Sequence, residues 1–293
     1  MGRYNSNKIT SKFVKNYIKN RLWKKSNGEY VPFLNVRSVP TKGKASRTMG
    51  YKTGREHHVL SKLEAAVLCH FNWSDEVIDI KEQYPLLPME VLQNIATEAG
   101  IDYPSFAGEP IIMTTDFLVT VKRKGKIIKY ARTVKLSTDL SNGKINEGLL
   151  AKFEIEKRFF KSKNIDWAII TEKDFSNVFV NNMEIVHSNK IIKHQTLLEK
   201  QYTCAMYTEL TDGIENATSE DMPLAFILSQ LSNDLNINIS DVNEILIKAI
   251  ASKIIVFDIY NKPLNMNALT ISDIAVNKEL LSREVNIQYG GIL

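Results

Sequence analysis

Chemistry in this chain rests on Glu64, Asp116, Lys135 and Glu156, provided the fold brings them together. Asp116 and Lys135 lie in two apolar runs, 111–121 and 127–135, separated by the charged Lys122-Arg-Lys-Gly-Lys segment that suits a hairpin turn. A two-residue turn at Lys124-Gly125 sets Asp116 opposite Thr133 and Lys135 opposite Thr114. Alternation puts these on one face, and cross-strand neighbours touch, so Asp116 and Lys135 are expected to meet. At about 100° per residue, Glu64 borders the apolar stripe of a helix expected over 58–72, and Glu156 falls inside the stripe of one expected over 146–162. Carboxylates on apolar faces are costly unless paired or metal-bound. Such carboxylates hold Mg²⁺, and Mg²⁺ polarises a phosphodiester and lowers the pKa of an attacking water. Lys135 then orients that water or offsets developing charge. On spacing alone, a surface Asp–Lys pair in a hairpin fits equally well.

The elements that must position these residues follow from periodicity. Leu60, Leu63, Val67 and Phe71 recur at helical spacing, with Ser61 in the same turn. The stretch 78–88 carries two prolines that fix an extended exit, and 98–110 is expected to be a loop. Strand 167–171 completes a helix, hairpin, helix, strand series, an α/β organisation with a mixed sheet flanked by helices. The texture changes after Glu172, so domains are expected over 1–172 and 173–293. In the second, one amphipathic helix begins at Pro223 and another at Ser240, followed by strands over 253–260 and 269–274, an order that suggests a winged-helix-like domain. Its second helix carries Asp241 and Glu244, with only Lys248 and Lys253 as cations, which favours protein docking over DNA reading.

At 293 residues with 44% hydrophobic and 24% charged side chains, the chain can bury a core and is neither collagen-like nor wholly disordered. No apolar run reaches the roughly 20 residues of a membrane-spanning helix, and the start lacks a secretory pattern. Cys69 and Cys204 are isolated, which fits a reducing cytoplasm. The net charge of +5 conceals an asymmetry: residues 1–62 hold fifteen Lys or Arg against Glu29 and Glu56, a local +13 that leaves −8 for the rest. A basic head on an acidic body points to a polyanion, most often nucleic acid. The alternative is an amphipathic helix whose solvated face carries Lys8, Lys12, Lys15 and Lys19. Tyr17, Trp23, Tyr30 and Phe33 either stack on bases or pack on the body.

An Asp on one strand, a Lys on its hairpin partner and a Glu on a preceding helix make up the PD-(D/E)xK nuclease constellation. The strings Lys52-Thr-Gly-Arg-Glu-His-His, Leu60-Ser-Lys-Leu-Glu-Ala-Ala-Val and Asp79-Ile-Lys-Glu-Gln-Tyr-Pro-Leu-Leu-Pro resemble the TnsA family. So do Met113-Thr-Thr-Asp-Phe-Leu-Val, Val134-Lys135, Lys152-Phe-Glu-Ile-Glu-Lys-Arg-Phe-Phe and Asp166-Trp-Ala-Ile-Ile-Thr-Glu-Lys-Asp. The resemblance implies a restriction-endonuclease-like, Mg²⁺-dependent domain that cuts double-stranded DNA at the 5′ ends of a transposon. The implied partners are a TnsB-like transposase and a TnsC-like ATPase, the latter through the C-terminal region. By the same resemblance the catalytic residues are Glu64, Asp116 and Lys135, with Glu156 as an additional helix carboxylate. Thr133 stands where such nucleases commonly have Gln or Glu, so it binds metal through water or leaves the ligand to the Val134 carbonyl. Arg55, Lys42, Lys44, Arg47 and Lys52 are candidates for DNA contact, and His57 and His58 are metal or phosphate groups or simply structural. The alternatives are a free-standing PD-(D/E)xK nuclease of restriction or repair type and a non-catalytic DNA-binding adaptor.

Overall fold

The computed structural model describes residues 11–25, 29–38, 45–50, 52–106, 108–141, 147–190 and 196–289. It divides into two compact units, Met1–Phe175 and Ser176–Leu293.

The first unit runs α1 (Ser11–Lys19), β1 (Ser46–Gly50), β2 (Arg55–Val59), α2 (Lys62–Trp73), β3 (Val77–Pro85) and α3 (Met89–Glu98). A small hairpin of β4 (Ser105–Phe106) and β5 (Glu109–Pro110) follows, then β6 (Thr114–Arg123), β7 (Lys126–Val134), α4 (Glu147–Ser162) and β8 (Asp166–Ile170). Four strands form a mixed sheet in the order β3-β6-β7-β8, antiparallel except for the β7/β8 pair. A parallel neighbour needs a crossover, and α4 supplies it. Alternation along β6 sends Phe117, Val119 and Val121 into a core with Val67 and Leu68 of α2, and Leu118 into a second core with Leu92 of α3 and Ile155, Phe159 and Phe160 of α4. The sheet is therefore covered on both faces.

The β6/β7 hairpin has the expected turn. Lys124 (φ 48°) and Gly125 (φ 78°) both adopt left-handed conformations, as a two-residue turn of this kind requires, and Arg123 pairs with Lys126. The ladder continues to Phe117↔Arg132. The expected partnering of Lys135 with Thr114 does not form: Lys135 lies one residue past β7 and its N–H donates to Ile170 O at 3.0 Å.

The helix expected over 58–72 starts later, at Lys62, because residues 55–59 alternate buried and more exposed positions and pair with β1. Ser61 caps the helix by accepting Glu64 N–H at 3.1 Å. Helix α3 was not anticipated, and the expected loop 98–110 contains the β4/β5 hairpin. In the head, α1 turns Tyr17 inward and leaves Lys15 and Lys19 exposed. Tyr17 and Phe33 pack with Leu34, Leu60 and Ile112, with Trp23 against them, so these aromatics belong to a core. Tyr30 is buried as well.

The second unit contains α5 (Asn177–Lys190), α6 (Leu197–Glu215), α7 (Leu224–Asp234), α8 (Ile239–Ala251), β9 (Ile255–Phe257), β10 (Ile274–Val276) and α9 (Lys278–Tyr289). Helix α7 begins directly after Pro223, as expected, but α8 begins at Ile239 after Asn238, so Ser240, the expected cap, lies inside the helix and no side-chain cap bond forms. Strand β9 is shorter than expected, and the returning strand β10 lies past the expected 269–274, where Ile271–Asp273 form a 3₁₀ turn instead; the two strands pair antiparallel. Buried Asn182 of α5 fixes the segment between them: its amide donates to Ile259 O and Lys262 O, 2.8 Å each, and its Oδ1 accepts Leu264 N–H at 2.7 Å.

Candidate active site

Glu64 stands in the first turn of α2, where the helix N-terminus favours negative charge. Its carboxylate accepts Leu60 N–H at 2.8 Å and the Ser61 hydroxyl at 2.9 Å, and only 1% of the residue is exposed. Asp116, on β6, accepts Val134 N–H at 2.7 Å through Oδ2. That bond replaces the next rung of the hairpin ladder and ties the aspartate to the strand end that carries Lys135. The Lys135 ammonium donates to Val134 O at 3.1 Å, and the residue is half-buried.

Between the two carboxylates lies Gln83 of β3. Its amide nitrogen is 3.2 Å from Glu64 Oε2 and 3.2 Å from Asp116 Oδ1. The structure thus draws Glu64, Asp116, Val134 and Lys135 into one hydrogen-bonded constellation, through a residue that pattern reasoning passed over. A signal was present in the sequence: Lys81, Glu82 and Gln83 are three consecutive polar residues inside a strand, and all three are buried.

Thr133 and Glu156 form an adjoining cluster. The Thr133 hydroxyl donates to Glu156 Oε1 at 2.7 Å and accepts Trp167 Nε1–H at 3.1 Å, while Thr115 Oγ1 lies 3.4 Å away. Burial pushes the Glu156 carboxyl up to about 7; hydrogen bonds from Thr115 and Thr133 oppose the rise, and the nearby Asp116 charge adds to it. Thr133 therefore has partners other than the Glu64/Asp116 pair.

A divalent hard cation suits the donor set on chemical grounds. Two buried carboxylates present oxygens to the same amide, and the group facing both is the positive end of that amide dipole.

One expectation is corrected. Arg55 is only 8% exposed, and its guanidinium forms a two-pronged pair with Glu82 at 2.8 and 2.5 Å, donates to Ile80 O at 2.7 Å and lies over the Tyr30 ring. His57, fully buried, holds the same carboxylate at 2.7 Å and contacts Thr53 Oγ1 at 2.8 Å. These residues form an internal network that engages both terminal nitrogens of Arg55 and leaves it buried rather than turned to solvent. Burial alone would raise the Glu82 pKa, but Arg55 and His57 outweigh it and hold the carboxyl at about 2. His58 is partly exposed, and burial lowers its pKa. Arg47 is exposed and 3.5 Å from Glu56, Lys52 is half-exposed, and Lys42 and Lys44 lie outside the described residues.

Comparison with known proteins bears on this constellation. A family model described as TnsA-like endonuclease N terminal matches residues 74–172, a stretch that contains Gln83, Asp116, Thr133, Lys135 and Glu156. The chain is also 41% identical over 162 residues to the transposon Tn7 transposition protein TnsA of Escherichia coli. The matched part of this chain is thus similar to proteins of the TnsA family. The alignment covers 55% of this chain and 57% of the Tn7 protein, so it spans little more than half of that relative's length. Glu64 precedes the TnsA-like stretch matched by the family model, yet the fold brings it to the same amide as Asp116. Among the described residues, no helix is long and apolar enough to cross a membrane.

Proposed function

We propose that this chain is the Mg²⁺-dependent endonuclease subunit of a transposon, cutting the 5′ strands at transposon ends together with a TnsB-like transposase and a TnsC-like ATPase. The observation that carries this reading is the convergence of Glu64 and Asp116 on one amide near Lys135, with Asp116 and Lys135 inside the TnsA-like stretch. Glu64, Asp116 and the Val134 carbonyl would hold the cation, with Thr133 at most a water-mediated contributor because its hydroxyl is engaged by Glu156 and Trp167. Once bound, Mg²⁺ polarises the phosphodiester and acidifies an attacking water.

The chain's own residues do the rest. The Asp116 to Val134 N–H bond fixes the strand end, so the Lys135 ammonium is presented at a set distance from the carboxylates. From there it orients the attacking water and offsets the negative charge that builds on the phosphate. Glu156, buried and bonded to Thr133, braces β7 against α4. Lys42, Lys44, Arg47 and Lys52 of the basic head are the proposed backbone contacts, with Arg55 withdrawn from that set. In the second unit, the helices α7 and α8 and the β9/β10 pair are read as a winged-helix-like module that docks on the ATPase.

Asp116→Ala tests the assignment, since it removes an oxygen donor without touching a surface that a partner would use. Loss of 5′-strand cleavage with complex assembly retained is the expected outcome. Retained cleavage would remove Asp116 from the site, and nicking by the purified chain alone would favour a free-standing nuclease.

A further inference from the structure

Gln83 has a backbone conformation that needs an explanation. Its φ is +47°, in the left-handed region that an unbranched L-residue adopts only when its surroundings impose it, and it occurs inside β3 with hydrogen-bonded rungs on both sides. The surroundings do impose it. Phe33 N–H donates to Gln83 O at 3.2 Å, the Tyr30 hydroxyl donates to Glu82 O at 2.7 Å, and the Glu82 side chain is locked by Arg55, His57 and His58 N–H. The consequence of this framing is at the other end of the side chain, where a 1% exposed amide is aimed between two carboxylates. Both neighbours are acceptors only, so the NH₂ end must face them, one hydrogen to each.

Resting on the metal-dependent reading above, we infer that Gln83 is a positioning residue whose amide stands in for the cation, holding Glu64 and Asp116 together until a metal ion displaces it. Two buried carboxylates facing one point repel each other, and a neutral donor that bonds both relieves the repulsion without neutralising either. The ion must compete with those two hydrogen bonds, so the amide keeps the ligands in place at the cost of a weaker apparent metal affinity. This also accounts for the network around Glu82, which takes no direct part in the chemistry but fixes the residue before Gln83.

The test uses the full chain without DNA and follows thermal unfolding in EDTA and across a Ca²⁺ titration, Ca²⁺ being a hard ion that accepts these oxygens. Gln83→Met keeps the length and removes the donors. It is expected to lower the melting temperature in EDTA, to recover most of that loss at saturating Ca²⁺, and to half-saturate at about a tenfold lower Ca²⁺ concentration than wild type, as expected when a competing group worth about 1.4 kcal/mol is removed. A purely structural glutamine would give the same loss with and without the ion and an unchanged or weaker affinity, and either result overturns the inference while leaving the metal site standing. If neither wild type nor variant responds to Ca²⁺, the metal reading itself fails and this inference with it. Should Gln83→Met not fold, Gln83→Glu keeps the shape and puts a third carboxylate at the point. Its melting temperature should fall in EDTA and rise steeply with Ca²⁺, and a melting temperature indifferent to the ion would count against the inference.

Discussion

Arg55→Met separates an internal role from a DNA-binding one. The change removes both hydrogen bonds to Glu82 and the one to Ile80 O, and leaves a carboxylate that is 0% exposed with His57 and the His58 N–H as its partners. Breaking a buried ion pair from one side costs about 3–5 kcal/mol, because the remaining charge stays desolvated. For a unit of this size that corresponds to a fall in melting temperature on the order of 10 °C. The acid limb of stability should also move to higher pH, since the guanidinium is one of the two groups that hold Glu82 at about 2. Differential scanning calorimetry reads the stability. Fluorescence anisotropy on a transposon-end duplex, at a temperature where circular dichroism shows the variant folded, reads binding. Wild-type affinity and an unchanged salt slope are expected. An unchanged melting temperature with weaker DNA binding and a salt slope reduced by about one would mean that Arg55 faces phosphate, and the internal network would be wrong.

Three further outcomes follow from the same packing. A Cβ added at Gly50 would lie 2.3 Å from His57 Nε2, on a ring that Glu82 and Thr53 hold in place, so Gly50→Ala should destabilise by about 1–3 kcal/mol in urea melts. Glu82 has its carboxyl lowered from the ordinary 4.5 to about 2, so its contribution, at most about 3 kcal/mol, is present above pH 4.5 and is lost as pH falls through about 2. Melts of wild type and Glu82→Gln across that window should converge toward the acid end, and parallel curves would contradict the assignment. Thr133→Val leaves Glu156 and Trp167 Nε1–H without the hydroxyl they share, a loss of about 1–3 kcal/mol measurable by chemical denaturation.

Periodicity made the frame of the first unit legible. The Lys124-Gly125 turn fixed the β6/β7 register, α4 came out within a residue of its expected start, and Glu64 and Glu156 were marked as inward-facing carboxylates. What escaped was set by contacts distant in sequence. Arg55 looks like one more cation of the basic head, and only the packing of β2 against β3 turns it onto Glu82, 27 residues away. Gln83 was hidden because a lone Gln in a strand carries no periodic signal and its importance comes from two carboxylates 19 and 33 residues away. The expected Lys135–Thr114 pairing failed because Asp116 takes the Val134 N–H that a regular ladder would have used.

The central claim is that Glu64, Asp116 and Lys135 form a nuclease site. The most direct measurement is 5′-strand cleavage of a transposon-end duplex with Mg²⁺ and the reconstituted transposase and ATPase, comparing wild type with Lys135→Ala. Lys135 is half-buried and, among the described residues, its side chain hydrogen-bonds the adjacent Val134 carbonyl, so the variant should fold and assemble normally. Cleavage by wild type, with a loss of about a hundredfold or more in the variant, is the predicted result. Equal cleavage by both, or none by either while the partners process the 3′ strands, would contradict the catalytic assignment.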